Sequence, residues 1–306
     1  MDHRTAAIYN SPDDQEPRVF ERTSMHSRIE SLREKLQEID AISNEAWLAG
    51  LDERKRKELA FHDAHRDRSA AESLDQDTYE RFYGNRKYYV ATSLSKRYVD
   101  KWICSQARGR VFLDYACGNG TNAIKAAKAG AELAIGIDIS RVSVENARAD
   151  AAVARMAGNT FLVQADAENT RLPPASIDAI ICSGMLHHLD LNHAYPELAR
   201  ILAPGGRILA VEALDYNPAI KFYRYLTPEM RTEWEKSNIL SLKDVRAASR
   251  YFDIGEILYW HITSVAGGKW PALLPVLNQL DRVLTRIPLV QLMAWIFTFE
   301  LHGRPA

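Results

Sequence analysis

The chain has 306 residues, 46% of them hydrophobic, and a formal net charge of −1. That length supports one large α/β domain with additions, or two small domains; the near-neutral balance argues against a broad, sequence-independent nucleic-acid surface but leaves room for a local basic pocket. Cys104, Cys117 and Cys182 show no metal-ligand spacing and suggest no disulfide framework, which points to a reducing cytoplasm; no signal peptide is visible, and no apolar run approaches the roughly 20 residues of a membrane span.

Residues 1–24 are polar, with Ser11-Pro12-Asp13-Asp14 among them, and read as a flexible tail. From Met25 to Ile42 the pattern is helical: Ile29, Leu32, Leu36 and Ile39 recur at steps of three and four, which makes a narrow apolar stripe. The stripe suits packing on the chain's own domain or a partner helix across a homodimer. Residues 50–60 hold Asp52-Glu53-Arg54-Lys55-Arg56-Lys57-Glu58, a mixed-sign density typical of a solvated helix face. Phe61-His62-Asp63-Ala64-His65 could place two histidines and an aspartate on one helical face, as metal ligands do, although no metal is expected. Tyr79 to Tyr89 mixes aromatic and basic residues, and Leu94 to Ile103 reads as a helix leading into a core.

That core opens with Val111-Phe112-Leu113-Asp114, apolar enough for a strand buried on both faces. It turns through Gly118 and Gly120, which let the backbone bend tightly and approach a ligand, into a helix over 121–129 whose N-terminus offers free N–H groups. Strand, glycine turn and helix make the first half of a nucleotide-binding βαβ unit. Further strands are expected at 133–138, 160–164, 178–183 and 206–211, with helices at 142–156 and 193–201 between them. Ser140 is a plausible N-cap. Asp138 ends the second strand near the spacing at which an acid meets ribose hydroxyls. In an open parallel sheet ligands bind outside the carboxyl ends of the strands, so Asp114, Asp138, Asp166, Cys182-Ser183 and Glu212 should share one rim.

Together, Asp114-Tyr115-Ala116-Cys117-Gly118-Asn119-Gly120, Asp138, Asp166-Ala167-Glu168, Ser183-Gly184-Met185-Leu186-His187-His188-Leu189 and Leu202-Ala203-Pro204-Gly205-Gly206 resemble the class I S-adenosylmethionine-dependent methyltransferases over roughly residues 108–215. Ala116 departs from the pattern, since the family often has glycine there; the cost is mild provided φ is negative. The resemblance implies a doubly wound, mostly parallel seven-stranded Rossmann-like sheet, a helical N-terminal cap over 25–105 and a methyltransferase domain over 106–306. Its last strand would be inserted antiparallel. It also accounts for the Phe-His-Asp stretch, which many small-molecule members carry ahead of the core, and for 79–89 as a lid over the cofactor. S-adenosylmethionine is the implied cofactor, with contacts from Asp114, Ala116, Cys117, Gly118, Asn119, Gly120, Asp138, Ile139, Asp166, Ala167, Glu168, Cys182 and Ser183.

After the fifth strand, residues 213–250 are expected to form a lid. Its aromatics, with Tyr88 and Tyr89, could line a substrate pocket, and Tyr223, Arg224 and Arg231 could hold a partly apolar or anionic small molecule. Glu212, His187 and His188 lie at the rim as candidate bases. The apolar run Ile287 to Leu301 is too short for a membrane helix and is interrupted by Pro288 and Gln291. Strand 254–263, helix 271–286 and strand 294–301 fit the resemblance better, and the 269–286 helix leaves peripheral membrane contact open. Two other readings are a nicotinamide-dependent oxidoreductase and a S-adenosylmethionine-binding protein without turnover. The spacing Gly118-x-Gly120-x-x-Ala123 alone does not exclude the former; Leu186-His187-His188-Leu189 favours the methyl donor.

Overall fold

A computed structural model describes residues 19–67 and 84–305, with side chains from residue 26 and from residue 88 in those two stretches. The described strands are β1 (Val111–Tyr115), β2 (Leu133–Asp138), β3 (Thr160–Gln164), β4 (Ile177–Ser183), β5 (Leu202–Ala213), β6 (Asp253–Trp260) and β7 (Ile296–His302). They form one seven-stranded sheet in the order β3-β2-β1-β4-β5-β7-β6. β1 to β5 run parallel. β7 inserts antiparallel between β5 and β6, with Val211 opposite Thr298.

Both faces of the sheet are covered, and the alternation along β1 shows how. Val111, Leu113 and Tyr115 join a core built with helices α1 (Val19–Asp40), α7 (Leu191–Ile201) and α10 (Leu242–Ala248). Phe112 points the other way, toward α4 (Ser93–Ala107) and α5 (Thr121–Lys128). A strand buried on both faces reads as a near-continuous apolar run, which is why no polar alternation marks β1 or β2 ahead of Asp114 and Asp138. Helix α6 (Arg141–Val153) begins at Ser140, whose hydroxyl accepts from Ser143 N at 3.0 Å, as expected of that N-cap.

The N-terminal helices fold onto this sheet. α1 starts at Val19, so the expected tail is shorter than 24 residues; residues 1–18, with Ser11 to Asp14, lie outside the described residues. Ile29, Leu32, Leu36 and Ile39 are all buried in the sheet's own core. Of the two alternatives, the stripe therefore takes the first: these four residues are filled within the chain, and nothing supports the homodimer. Arg28 pairs with Asp178 at 2.7 Å and Arg148 with Asp40 at 2.5 Å, tying the helix down at its middle and its C-terminal end. Helix α2 (Asn44–Gly50) is capped by Ser43 and buries Trp47. Helix α3 (Glu53–Arg66) follows, capped by Asp52.

Two other expectations change. The segment expected as a lid over 213–250 divides: helices α8 (Pro218–Leu226) and α9 (Glu233–Ser237) carry no buried residue, whereas Leu240, Val245 and Ala248 are core. The C-terminal helix, α11 (Leu274–Leu284), is shorter than expected because 3-10 turns occupy 264–268 and 271–273. Among the described residues no helix is long and apolar enough to cross a membrane.

Leu36 is fully buried, at 0% exposure. Leu36→Ala should lower the free energy of unfolding by about 2–5 kcal/mol. Because the helix packs on its own domain, the urea midpoint of that variant should not depend on protein concentration.

Candidate active site

The carboxyl ends of the parallel strands carry four buried acids, and each is engaged by backbone amides. Asp114 Oδ2 accepts from Asn122 N and Ala123 N, both at 3.1 Å, holding the start of α5. Asp138 accepts from Gly118 N at 2.8 Å and Ser140 N at 2.9 Å. Asp166 accepts from Glu168 N at 2.9 Å. Glu212 Oε1 accepts from Met185 N at 2.9 Å and Leu186 N at 2.8 Å. Burial pushes the Asp114 carboxyl up to about 7, against the lowering effect of its amide donors. Asp138 is raised by burial as well, with Gly118, Ser140 and Arg66 pulling it back.

The glycine turn is built as the sequence suggests, with one exception. Gly118 and Gly120 have φ of +52° and +70°. A Cβ on Gly118 would stand 2.8 Å from the Arg66 guanidinium, the movable end of a long side chain, so it is the positive φ that calls for glycine there. Ala116 has φ +53°, not the negative φ expected. Alanine in the left-handed region costs roughly 1–2 kcal/mol, so Ala116 is a strained position in the turn.

Two cavities meet along this rim. The larger, about 1320 Å³, is lined by Asn119, Ser183, His187 and His188 from the loops, and by Tyr88, Tyr89, Tyr223, Arg224, Arg231 and Glu235. The smaller, about 100 Å³, is bounded by Ala116, Asp138, Ile139, Asp166, Ala167, Glu168 and Ser183 on the sheet side and by α3 on the other. The structure thus gathers most of the expected contact residues. It leaves some out. Cys182 is fully buried between β1 and β5, so its side chain belongs to the core. Cys117 Sγ packs beside Gly136, and Asp114 stands behind the turn that it caps.

α3 is not the solvated face that its charge density suggests. Arg54 Nη2 bonds Glu168 at 2.6 Å, and Lys55 Nζ bonds Asp166 at 2.6 Å and Glu168 at 3.1 Å. Asp63 bonds the Ser140 hydroxyl. Arg54 also lies over the Trp234 ring at 4.7 Å. These cations occupy the acids at which adenosine was expected. With Arg54 and Lys55 in these positions, the smaller cavity falls below the roughly 300 Å³ at which ligand pockets begin, while it shares Ser183, Gly184 and His188 with the larger one. Nothing in the sequence marks which charges of a mixed run turn inward; only the docked helix does.

Beside it, Glu58, His62 and His188 bring potential ligand atoms within 4.8 Å of one another, the groups that could hold a cation. His188 Nδ1 lies 2.9 Å from Glu58 Oε2. Burial and the neighbouring His188 hold His62 well below the usual imidazole range.

His187 is the pivot of the larger cavity. Its Nδ1 lies 2.6 Å from Glu212 Oε2, and its Nε2 lies 3.9 Å from Glu235 Oε1. Because Glu212 only accepts, Nδ1 carries the proton and Nε2 is left with its lone pair. Burial disfavours the imidazolium, but Glu212 and Glu235 outweigh it and raise the pKa of His187. Glu212 itself is 0% exposed at the side chain and has both oxygens committed. The expectation that it acts directly on a substrate gives way to one in which it orients His187. Across the cavity, Tyr88 packs edge-on to Tyr223 and Tyr89 tilts against Trp295. Arg224 is largely buried with Nη1 lacking a hydrogen-bond partner among the described residues. Arg231 is held by Thr227 and Glu235. Residues 79–83 of the expected first lid lie outside the described residues.

Residues 112–206 match the family described as methyltransferase domain. The chain is 39% identical over 101 residues to 27-O-demethylrifamycin SV methyltransferase of Amycolatopsis mediterranei, covering 33% of this chain and 37% of that protein. It is 31% identical over 115 residues to the O-methyltransferase cnsE of Penicillium expansum, covering 37% of this chain and 42% of that protein. The match thus spans about two fifths of each of these relatives. Among solved structures, geranyl diphosphate C-methyltransferase from Streptomyces coelicolor A3(2) superposes with a TM-score of 0.55 at 13% identity, over 84% of this chain and 100% of that one. Magnesium protoporphyrin IX methyltransferase from Synechocystis PCC 6803 gives 0.53 at 17% identity, over 81% and 99%; at such identities the likeness is one of fold. Residues 112–206, just under a third of the chain, are thus identified as a methyltransferase domain.

Proposed function

We propose that this protein transfers a methyl group from S-adenosylmethionine to a small, partly apolar acceptor through a hydroxyl or similar acidic X–H group. The observation that carries this reading is the Glu212-held His187 on the wall of a large aromatic cavity. The relatives' printed names, a rifamycin-type O-methyltransferase and a fungal O-methyltransferase among them, agree with a small-molecule acceptor.

The residues present fit the methyl donor. Asn119 Oδ1 is buried in the larger cavity's wall with no hydrogen-bond partner among the described residues, an acceptor suited to the donor's ammonium. Asp138 retains lone pairs for the ribose hydroxyls beside its two amides, and Asp166 can take the adenine amino group in place of Lys55. When bound, S-adenosylmethionine supplies a sulfonium-activated methyl carbon. The chain has to hold the acceptor in line with that carbon and keep water out. Tyr88, Tyr89, Tyr223 and Trp295 offer apolar faces for this. Arg224, whose Nη1 makes no hydrogen bond among the described residues and lies 3.9 Å from Asp215 Oδ1, suits an oxygen or anionic group on the acceptor. His187 Nε2 then takes the acceptor's proton, and the resulting imidazolium is stabilised by Glu212 and Glu235.

Three measurements test this. Asp138→Ala should weaken S-adenosylmethionine binding by about ten- to a hundredfold, the worth of a charge-assisted hydrogen bond; unchanged calorimetric affinity would remove Asp138 from the cofactor site. His187→Asn should keep cofactor affinity and lower the rate of S-adenosylhomocysteine formation by about 10²–10⁴ across a panel of phenols, hydroxy acids and alcohols; undiminished turnover would leave positioning alone.

The pH profile gives the third. His187 works as a base only when neutral, and its pKa lies above the ordinary 6.5. The acid limb of kcat/KM should therefore lie above that value, and Glu212→Gln should move it down. Stability carries the matching sign. The imidazolium–Glu212 contribution is complete below the unfolded pKa and is lost as pH rises through the raised folded one. Glu212→Gln should flatten that dependence in urea melts.

A further inference from the structure

Of the fifteen large apolar residues exposed among the described residues, seven lie in one segment, and Phe222, Tyr225 and Leu226 form a smaller group on α8. Trp270, Leu273, Val276, Leu280, Val283, Ile287 and Leu289 are each between 41% and 79% exposed. Within α11 and just beyond it, Val276, Leu280, Val283 and Ile287 recur at steps of four, three and four. That spacing lines them up along one outer face of the helix. Leu277, Asp281 and Leu284 lie roughly 100° around the helix from that strip and are less exposed, toward the domain. The helix is thus apolar on two sides, and only one of them has a partner within the chain.

Its charges are sorted as well. Asp281 is the only acid between Lys269 and Leu289, and it is 1% exposed. Its carboxylate accepts from Thr263 N and the Thr263 hydroxyl, both at 2.7 Å, and from Ser264 N at 3.1 Å. The segment's one negative charge is turned inward. Lys269, Arg282 and Arg286 are exposed and make no ion pair among the described residues. The outer face therefore shows an apolar strip, a tryptophan at its start and a wholly positive border.

We propose that the segment Lys269–Leu289 docks this protein on the surface of an anionic lipid bilayer. Apolar side chains enter the acyl boundary, tryptophan suits the headgroup level, and basic residues meet anionic headgroups. Neither signal suffices alone, and the segment carries both. A second copy of the chain fits less well. A two-fold contact along this strip would bring the positive border against its own copy, with no acid to offset it. The placement also has a consequence for access. Val265, just upstream, lines the larger cavity, and the Tyr88 ring packs directly on Gly268. On the reading that this cavity takes an apolar acceptor, docking sets its edge beside the bilayer.

Co-sedimentation of the full chain with vesicles decides the matter without any acceptor. Binding is expected to phosphatidylcholine vesicles that contain phosphatidylglycerol, weaker at high salt and weaker on pure phosphatidylcholine. The double variant Leu280→Asp, Val283→Asp should lose binding while keeping the parent's thermal unfolding midpoint and S-adenosylmethionine affinity, since both side chains are exposed and away from the site. Arg282→Gln and Arg286→Gln should each weaken binding to anionic vesicles about fivefold. Absence of binding at low salt, or binding that the double Asp variant leaves intact, overturns the proposal. So does a chain that is dimeric by analytical ultracentrifugation and becomes monomeric in that variant, which would assign the strip to a second copy.

Discussion

Carboxylates buried at the carboxyl ends of parallel strands, each caged by backbone N–H groups, are the interaction on which the rest of this structure depends. A buried carboxylate is costly unless donors replace its water. Here the donors are amides of the loops that must be held still. Asp114 fixes the start of α5, Asp138 fixes both the glycine turn and Ser140, and Glu212 fixes Met185, Leu186 and the His187 ring. One residue type at one place in each strand thus converts a regular sheet into a shaped rim. The desolvation that raises Asp114 and Asp138 is the cost of that order, offset by the amides.

The same rim is negative, and α3 answers it. Arg54 and Lys55 neutralise Glu168 and Asp166 across distances of 2.6 Å in largely buried surroundings. Removing either partner would leave an uncompensated buried charge. A ligand that takes over Asp166 must therefore provide donors of its own and leave Lys55 a route to solvent or to Glu168. α3 is joined to the rest of the rim mainly by such polar contacts, including Asp63 with Ser140 and Asn146 with the Arg66 carbonyl. An element held this way can exchange partners more readily than one held by an apolar core.

On the proposed reading, acceptor recognition draws on other parts of the chain. The matched domain ends at residue 206. The aromatic and cationic walls of the larger cavity come from Tyr88 and Tyr89 before it and from Tyr223, Arg224, Arg231, Glu235 and Trp295 after it. On the proposed reading, His187 within the matched domain and Glu212 six residues beyond it carry the chemistry, and the acceptor meets the segments on either side. α8 and α9 bury nothing of their own, which suits a cover that repacks around its occupant.

The sheet was legible in the sequence because its strands are short, apolar and separated by glycine turns and amphipathic helices, and those signals are local. The strand ends at Asp114, Asp138 and Ser183 followed from where each apolar run stops. Ala116 was legible as a departure but not as a strained one, because φ depends on how the turn is tied to Asp138. The α1 stripe showed that something covers Ile29, Leu32, Leu36 and Ile39, and only packing chose the chain's own sheet. The role of Glu212 changed for a similar reason: position marked it, but the amides and the imidazole around it decided what it can do. Arg54, Lys55 and Glu58 could not be told from their solvated neighbours, since a helix presents every side to sequence alike until one is docked. Sequence by itself determined the order of elements and the chemistry available at the rim. Tertiary structure decided which charges face inward, because pairing across more than a hundred residues is set by the fold and leaves no local trace.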